Sequence, residues 1–328
     1  MSTDIQPARR VALDRAFQHL GELGAQADLS QATTPLEQWV AVLRHLMKRY
    51  GDVGPAPSLD GIRRTPVVAG GVPAEWVQAE HASNAHRLVY FHGGGWAGGT
   101  LDDYLGISST LARLTGSSVL VVDYRLAPEH RFPAGLEDCI AALEWAFVSG
   151  PDSAANGVAD QDEAAQVTLV GDSAGAGLAA AAVIEAIGRG HRIPDRLALI
   201  AGTIDNLPYP DRVGLEDYVG TPESLAAGVA SYLGPNDVAH DPRVSPVFAS
   251  AEVLARFPPT LQQASNIETL LHDARKFAGR LERAGVRSTL SVWPDLPHVW
   301  HAFLGLFPEA REALAEIADF LRPWPREV

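Results

Sequence analysis

A serine lies between two glycines in the segment Gly171-Asp172-Ser173-Ala174-Gly175. The segment follows an apolar run at 167–170 that is typical of a buried strand, and it precedes an alanine-rich run with helical spacing. A tight turn between strand and helix leaves room only for small residues beside the serine, and it projects the hydroxyl into open space. The pattern therefore predicts a nucleophile elbow with Ser173 as the nucleophile. The alternative is a glycine-rich turn that binds a phosphate at the helix N-terminus.

Three consecutive glycines, residues 93–95, lie between His92 and Trp96. They directly follow an apolar run at 88–91 that predicts another buried strand. Glycine leaves the backbone N–H groups bare, so that they can approach a ligand closely. In acyl-transfer enzymes such a loop donates hydrogen bonds to the negative oxygen of the tetrahedral intermediate. The segment predicts an oxyanion loop. A flexible hinge is the alternative, although glycine alone does not explain the flanking His92 and Trp96.

A serine nucleophile needs a base. In a sheet of this kind the acid and then the base follow the serine along the chain. His298 lies just beyond a strand candidate at 288–293, where a base on a late loop is expected. His301, which follows shortly after, is expected to support the site or to cap a helix. We therefore predict that His298 is the base.

The acid that orients the base is expected on the loop after the preceding strand, and there Glu268 and Asp273 compete. If a helix begins near Leu270, Glu268 lies in the loop while Asp273 lies in the first turns and faces elsewhere. Asp295 is a weaker candidate, because so short a loop cannot easily turn its carboxylate back onto His298. Position favours Glu268.

Apolar runs alternate with helical patterns over most of the chain. Strands are predicted at 66–69 and 75–78 (an edge hairpin), 88–91, 119–122, 167–170, 197–201, 260–263 and 288–293, and helices at 104–114, 134–148, 270–284 and from 308. This alternation predicts an α/β protein with a largely parallel sheet covered on both faces. Residues 203–257 break the rhythm and are predicted to run over the strand ends, where ligands bind in such sheets, with a short helix at 224–232.

The first fifty residues predict two amphipathic helices. Thr34-Pro35-Leu36-Glu37 offers a capping box with proline at the first helical position. Trp39, Leu43 and Met47 then fall on one face of the second helix. Residues 51–57 form a linker rich in proline and glycine, and the two helices are expected to lie across one end of the sheet.

Composition limits the classes of function. The chain has 328 residues, 46% of them hydrophobic, which suits one large core with appendages. A net charge of −14 argues against nucleic acid or an anionic membrane surface as a partner. No signal peptide or membrane-spanning run is recognisable, so a cytoplasmic location is expected. The single cysteine, Cys139, lies in an apolar helical pattern and is expected to be a buried structural thiol.

Three segments carry a resemblance to a known family. They are His92-Gly93-Gly94-Gly95-Trp96, Asp123-Tyr124-Arg125-Leu126-Ala127-Pro128-Glu129-His130-Arg131-Phe132-Pro133-Ala134 and Gly171-Asp172-Ser173-Ala174-Gly175. The chain resembles the hormone-sensitive lipase family of esterases, whose fold is an α/β-hydrolase with a helical cap. The likeness extends from about Arg87 to the C-terminus. It implies that residues 1–57 are the N-terminal helical cap segment and residues 58–328 the hydrolase core, with a cap-like excursion at 203–257.

The resemblance also implies the roles of individual residues. It makes Ser173 the nucleophile, His298 the general base, and Gly93, Gly94 and Ala174 the backbone donors of the oxyanion hole. Trp39, Trp96 and Tyr124 are expected to bind the substrate.

The chain departs from the family pattern around the acid. The usual pattern is Asp-Pro-Leu-x-Asp, and Glu268-Thr269-Leu270-Leu271-His272 stands in its place, so Glu268 would replace the aspartate. Ala264-Ser265 stands where a glycine is usual, and Gly202-Thr203-Ile204-Asp205-Asn206 where many relatives have Ser-Pro. These departures bear on the shape of the pocket more than on the chemistry.

We therefore expect a carboxylic ester hydrolase that acts on short- to medium-chain acyl esters through Ser173, His298 and Glu268. The partner is a small-molecule ester, no metal or organic cofactor is implied, and a homodimer is an open alternative. A lactone hydrolase with the same triad is the first alternative function. A non-catalytic ligand-binding protein on the same fold is the second, and an anion-binding module is disfavoured because the P-loop lysine and the dinucleotide spacing are missing.

Overall fold

A computed structural model describes residues 7–152, 165–208, 217, 219–235 and 238–322. The strands are β1 (Arg63–Ala69), β2 (Val72–Gln78), β3 (Ser83–Phe91), β4 (Ser117–Val122), β5 (Gln166–Asp172), β6 (Arg196–Ile200), β7 (Thr260–Ser265) and β8 (Ser288–Trp293). The helices are α1 (Pro7–Ala25), α2 (Pro35–Met47), α3 (Leu105–Thr115), α4 (Ala134–Val148), α5 (Ala174–Arg189), α6 (Pro222–Leu233), α7 (Ala251–Leu254), α8 (Leu271–Arg283) and α9 (Pro308–Leu321). Short 3₁₀ turns occur at Pro246–Phe248 and Trp300–Ala302. Within the described ranges, no helix is long and apolar enough to span a membrane.

The eight strands form one sheet in the order β1-β2-β4-β3-β5-β6-β7-β8. β2 pairs antiparallel with β1 and with β4, and every other neighbouring pair is parallel. The largely parallel sheet and its antiparallel edge hairpin are therefore confirmed. Because parallel strands end at the same edge, the loops after β3, β5, β7 and β8 can meet there.

The sheet is buried on both faces by helices. Along β4, Leu120 and Val122 belong to one apolar cluster, while Val119 and Val121 belong to the cluster on the opposite face. The first cluster contains residues of α4 and α5, and the second contains residues of α1, α2, α3 and α9. Cys139 is fully buried in the first cluster, as expected.

The N-terminal helices pack onto the same body as the sheet. Thr34 and Glu37 form the predicted capping box: Thr34 Oγ1 accepts from the Glu37 N–H at 3.2 Å, and Glu37 Oε2 accepts from the Thr34 N–H at 2.9 Å. Leu43 and Met47 are buried in the second apolar cluster. The cap role of residues 1–57 and the boundary at residue 57 stay predictions.

The excursion at 203–257 stays a prediction, but the residues described there include helix α6 and several residues that line the cleft over Ser173. Its helix α6 begins two residues before the predicted start, because Thr221 Oγ1 accepts from the Ser224 N–H at 3.2 Å and Pro222 fills the first helical position. α6 packs against α2. Residues 209–216, 218, 236 and 237 of the excursion lie outside the described residues.

Candidate active site

Ser173 lies at the turn between β5 and α5, with a φ of 51° and a ψ of −120°. Positive φ is strained for a residue with a side chain, and such strain is typical of a nucleophile elbow. Both flanking glycines are required by close backbone contacts. A Cβ at Gly171 would lie 2.4 Å from the carbonyl oxygen of Gly175, and a Cβ at Gly175 would lie 2.1 Å from that of Phe91. The turn therefore presents the serine as the sequence predicts.

The structure brings Ser173, His298 and Glu268 into one hydrogen-bonded chain. His298 Nε2 lies 2.9 Å from Ser173 Oγ, and His298 Nδ1 lies 2.9 Å from Glu268 Oε2. With the proton on Nδ1, the imidazole donates to Glu268 and accepts from the serine hydroxyl. Glu268 Oε1 accepts from the Ser265 N–H at 2.6 Å, which fixes the carboxylate. The side chains of His298 and Glu268 are only 7% and 1% exposed.

The environment of His298 favours its protonated form. Burial by itself lowers the pKa of His298. The hydrogen bond and the charge of Glu268 raise that pKa, and so do the charges of two further carboxylates. Together they outweigh burial, so the pKa of His298 lies above its ordinary value. The two further carboxylates are Asp217 and Asp172. An imidazole in this setting can take up a proton from the serine hydroxyl readily.

One predicted oxyanion donor is wrong. The N–H of Gly93 donates to Asp172 Oδ1 at 2.9 Å, so it is already engaged inside the protein. A Cβ at Gly93 would lie 2.3 Å from Asp172 Oδ2, which explains why glycine is needed there. Gly94 and Gly95 line the cleft together with Ser173, whereas Gly93 is not among its lining residues. Ala174 is fully buried at the start of α5.

Asp172 is a structural member of the site that the sequence analysis missed. Its carboxylate accepts hydrogen bonds from the Tyr90 hydroxyl at 2.8 Å, the Tyr104 hydroxyl at 3.2 Å and the Gly93 N–H. Burial raises the pKa of Asp172 from 3.8 to about 6, although these hydrogen bonds and His298 oppose the shift. The carboxylate joins the elbow to the glycine loop. The only sequence signal was its place inside the Ser173 pentapeptide.

A largely apolar cleft of about 710 Å³, part of it open to solvent, lies over Ser173. One wall comes from α2 and another from α6 and the segment before it; the lining includes Trp39, Leu43, Met47, Val219, Gly220, Ser224, Leu225 and Gly228. Trp39 Nε1 donates to Ser224 Oγ at 3.3 Å, which joins the two walls. Trp96 also lines the cleft and stacks on Tyr232 with ring centroids 4.7 Å apart. Trp39 and Trp96 thus lie where substrate contact is expected.

Tyr124 does not line the cleft, and its predicted substrate contact is wrong. Its ring stacks on His92 at 4.4 Å, and its hydroxyl donates to the His92 carbonyl oxygen at 2.7 Å. Burial lowers the pKa of His92 to about 4, so this imidazole is neutral. Tyr124 therefore supports the glycine loop from behind.

The competing carboxylates lie away from the His298 ring. Asp273 is buried in α8, where Oδ2 accepts from the N–H groups of Ile204 and Asp205, each at 3.0 Å. Asp295 exchanges hydrogen bonds with Asn266 at the surface. His301 is buried against Gln263, with Nε2 2.7 Å from Oε1, as a supporting residue would be. The positional argument thus selected the carboxylate that meets the imidazole.

The chain is similar in sequence and structure to known proteins. Residues 88–302 match a family model described as alpha/beta hydrolase fold. A solved structure of an esterase from the bacterial hormone-sensitive lipase family superposes with a TM-score of 0.78 at 33% identity, covering 97% of this chain and 98% of that one. The chain belongs to the hormone-sensitive lipase family of α/β-hydrolases.

Two more proteins are similar to this hormone-sensitive lipase family member over nearly its whole length. An acetyl-hydrolase of Streptomyces hygroscopicus is 31% identical over 323 residues, which cover 97% of this chain and 90% of that protein. A crystal structure of the protein EstE5 soaked with p-nitrophenyl butyrate superposes with a TM-score of 0.78 at 30% identity, covering 97% of this chain and 98% of the other.

The glutamate predicted to be the acid of this family member fits its loop. Glutamate is one methylene longer than the usual aspartate, yet its carboxylate reaches both His298 Nδ1 and the Ser265 N–H. Among the residues that the structure describes, no group of three or more histidine, cysteine, aspartate and glutamate side chains is placed to hold a metal ion.

Proposed function

We propose that Ser173, His298 and Glu268 form the triad with which this carboxylic ester hydrolase cleaves small-molecule esters of short- to medium-chain acids. The observation that carries the proposal is the pair of 2.9 Å contacts that His298 makes with Ser173 Oγ and Glu268 Oε2. A non-catalytic binding protein would have no need for a serine at the cleft backed by a buried histidine and a buried glutamate in this order. Hydrolysis is therefore the better account of the site.

In the first half-reaction, His298 Nε2 takes the proton of Ser173 Oγ as the oxygen attacks the ester carbonyl carbon. The tetrahedral intermediate then collapses: the bond from carbon to the alcohol oxygen breaks, and His298 gives its proton to the leaving alcohol. The acyl group stays on Ser173. In the second half-reaction, His298 takes a proton from water as the water oxygen attacks the acyl carbon. The bond from that carbon to Ser173 Oγ then breaks, His298 returns its proton to Oγ, and the acid is released.

Glu268 acts through His298. Its carboxylate holds the Nδ1 proton and stabilises the imidazolium that forms in each half-reaction. Its own position is fixed by the Ser265 N–H at 2.6 Å.

The oxyanion donors are assigned to the N–H groups of Gly94, Gly95 and Ala174. Gly95 takes the place of Gly93, because the Gly93 N–H is bound to Asp172 while Gly95 lines the cleft. Donors fixed in advance on a rigid loop stabilise the negative oxygen as it develops.

The cleft supports small esters with apolar acyl groups. Trp39 and Leu43 approach the oxyanion loop so closely that a Cβ on Gly95 would lie 3.0 Å from the Trp39 ring and 3.4 Å from a Leu43 methyl group. Apolar side chains so near the loop favour short chains over long ones. A similar acetyl-hydrolase, and a similar structure soaked with a butyrate ester, agree with this range.

A substrate panel tests the proposal. We expect turnover of p-nitrophenyl esters from acetate to octanoate, with little activity on dodecanoate and on simple lactones, and no activity in Ser173→Ala. Preferred turnover of lactones would replace the linear-ester assignment with the lactone hydrolase alternative. Turnover of neither class, with a folded protein, would contradict the function.

A further inference from the structure

Asp217 is a half-buried carboxylate that binds two separate parts of the site through their backbones. Its Oδ1 accepts from the N–H groups of Val219 at 3.2 Å and Gly220 at 2.7 Å. Its Oδ2 accepts from the N–H of Thr269 at 3.0 Å. Val219 and Gly220 line the cleft, and Thr269 directly follows Glu268. One side chain thus joins the cleft wall to the loop that carries the acid.

The contact with Thr269 depends on the backbone N–H of that residue. Glu268 to Leu271 form a turn in which the Leu271 N–H points to the Glu268 carbonyl oxygen at 3.4 Å. Thr269 occupies the second position of that turn, where proline fits well but has no N–H to donate. Threonine at this position makes the anchor to Asp217 available, and proline would remove it.

The charge of Asp217 reaches the catalytic histidine. The titratable groups that the described structure places around His298 are Glu268, Asp217, Asp172, Tyr50 and His301. Of these, Glu268 touches the imidazole directly. Asp217 is one of the carboxylates that raise the pKa of His298. A negative charge held near a forming imidazolium stabilises it.

We propose that Asp217 is a positioning residue for the reaction: it anchors the Glu268 loop to the cleft wall through the Thr269 N–H, and this contact holds its negative charge next to the residue that binds His298. The inference rests on the proposed function of the triad and deepens it. Asparagine at this position keeps the shape but has a single acceptor oxygen, so it must release either the cleft wall or the acid loop.

The experiment compares Asp217→Asn, Thr269→Pro and the double variant with the wild type. Asp28→Asn is the matched control, because Asp28 Oδ1 also accepts a backbone N–H two residues on, from Ser30 at 2.9 Å, in the connection between α1 and α2. The readouts are kcat and KM for p-nitrophenyl butyrate, and the pKa of His298 followed by NMR of its ring. Far-ultraviolet circular dichroism checks the fold of each variant.

For Asp217→Asn we expect kcat to fall about tenfold and the pKa of His298 to fall, because one of the carboxylates that raise it is removed. Thr269→Pro should lower kcat similarly while changing the pKa of His298 less, because the charge remains. The double variant should lose little more activity than either single variant, since both substitutions remove the same contact between Asp217 and the Thr269 N–H. Asp28→Asn should match the wild type.

Wild-type values of kcat and of the pKa of His298 in Asp217→Asn would overturn the inference, as would losses that multiply in the double variant. If Asp217→Asn does not fold, Thr269→Pro alone tests whether the contact between Asp217 and Thr269 supports catalysis. An unchanged kcat in Thr269→Pro would then overturn the inference. The NMR titration separates this inference from the proposed function. If the wild type cleaves no ester, the function fails, while an unchanged pKa of His298 in Asp217→Asn still counts against the role of Asp217.

Discussion

The hydroxyl of Tyr50 donates a 2.6 Å hydrogen bond to the backbone carbonyl oxygen of His298. Tyr50 lies just after α2, and its ring packs against Phe303 with centroids 5.1 Å apart. The backbone also packs closely here: a Cβ at Gly51, next to Tyr50, would lie 2.2 Å from the Ala302 carbonyl oxygen. The N-terminal segment therefore holds the loop that carries the histidine.

Tyr50→Phe tests this connection. Removing the hydroxyl leaves a buried carbonyl oxygen without its donor, which should cost about 1–3 kcal/mol of unfolding free energy. We also expect kcat to fall several-fold, because the His298 backbone loses a support. Tyr232→Phe is the control: its hydroxyl is buried without a partner in the described part of the chain, so its loss should be neutral. Urea denaturation and ester kinetics measure both effects, and equal behaviour of the two variants would contradict the connection.

The pH dependence of kcat/KM reports the ionisation of His298. The base must be neutral to accept the serine proton, so activity should fall as pH drops through its pKa. Because the Glu268 contact and nearby carboxylates raise the pKa of His298 above 6.5, the midpoint of the acid limb should lie above that value. A midpoint at or below 6.5, in a protein that stays folded, would disagree with the electrostatics of the site.

Glu268→Gln tests the acid. Glutamine keeps the size of the side chain but cannot stabilise the imidazolium, so kcat should fall by roughly 10²- to 10⁴-fold. Asp295→Asn is the control on the neighbouring loop, since that carboxylate is at the surface with Asn266, and its kcat should stay within about twofold. A crippled Asp295→Asn beside an active Glu268→Gln would mean that the acid has been misassigned.

Asp172→Asn tests the buried carboxylate that joins the elbow to the glycine loop. Burial raises the pKa of Asp172 from 3.8 to about 6, so between those values the folded protein holds a proton that the unfolded chain has released. Ionisation of Asp172 therefore lowers the free energy of unfolding increasingly as pH rises to about 6, and by a constant amount above that pH. The unfolding free energy of the wild type, relative to the variant, should fall by on the order of 3 kcal/mol between about pH 4 and about pH 7.

Urea denaturation at a series of pH values checks that prediction. A difference between the two proteins that does not change with pH would rule out the raised pKa of Asp172. The same variant should lose kcat, because the Gly93 N–H loses a charged acceptor and the glycine loop is less firmly placed.

Sequence patterns identified the parts of the fold that depend on neighbouring residues. The β5–Ser173–α5 unit could be predicted because apolar strand residues, small turn residues and helix formers follow one another in the chain. Position along a parallel sheet then selected His298 and Glu268, since the loops after successive strands meet at one edge. Glu268 was preferred to Asp273 from the expected helix start, and α8 begins within one residue of that expectation.

Contacts between distant segments were beyond the sequence patterns. Which glycine donates to an oxyanion depends on where the Asp172 carboxylate lies, and that carboxylate engages Gly93. Tyr124 was expected at the substrate because it lies in a family segment, but only the fold shows that it packs behind His92. The contact between Asp217 and Thr269 carried no local signal, because the two residues lie on different loops.

The most direct measurement of the central claim is covalent labelling of the serine nucleophile. We expect a serine-directed alkyl phosphonate to inactivate the wild type with one label per chain, located on Ser173 by peptide mass spectrometry, and Ser173→Ala to be folded, unlabelled and inactive toward p-nitrophenyl butyrate. Ester hydrolysis that persists in Ser173→Ala, or a label that inactivates the enzyme from another residue, would contradict the claim that Ser173 is the nucleophile of this hydrolase.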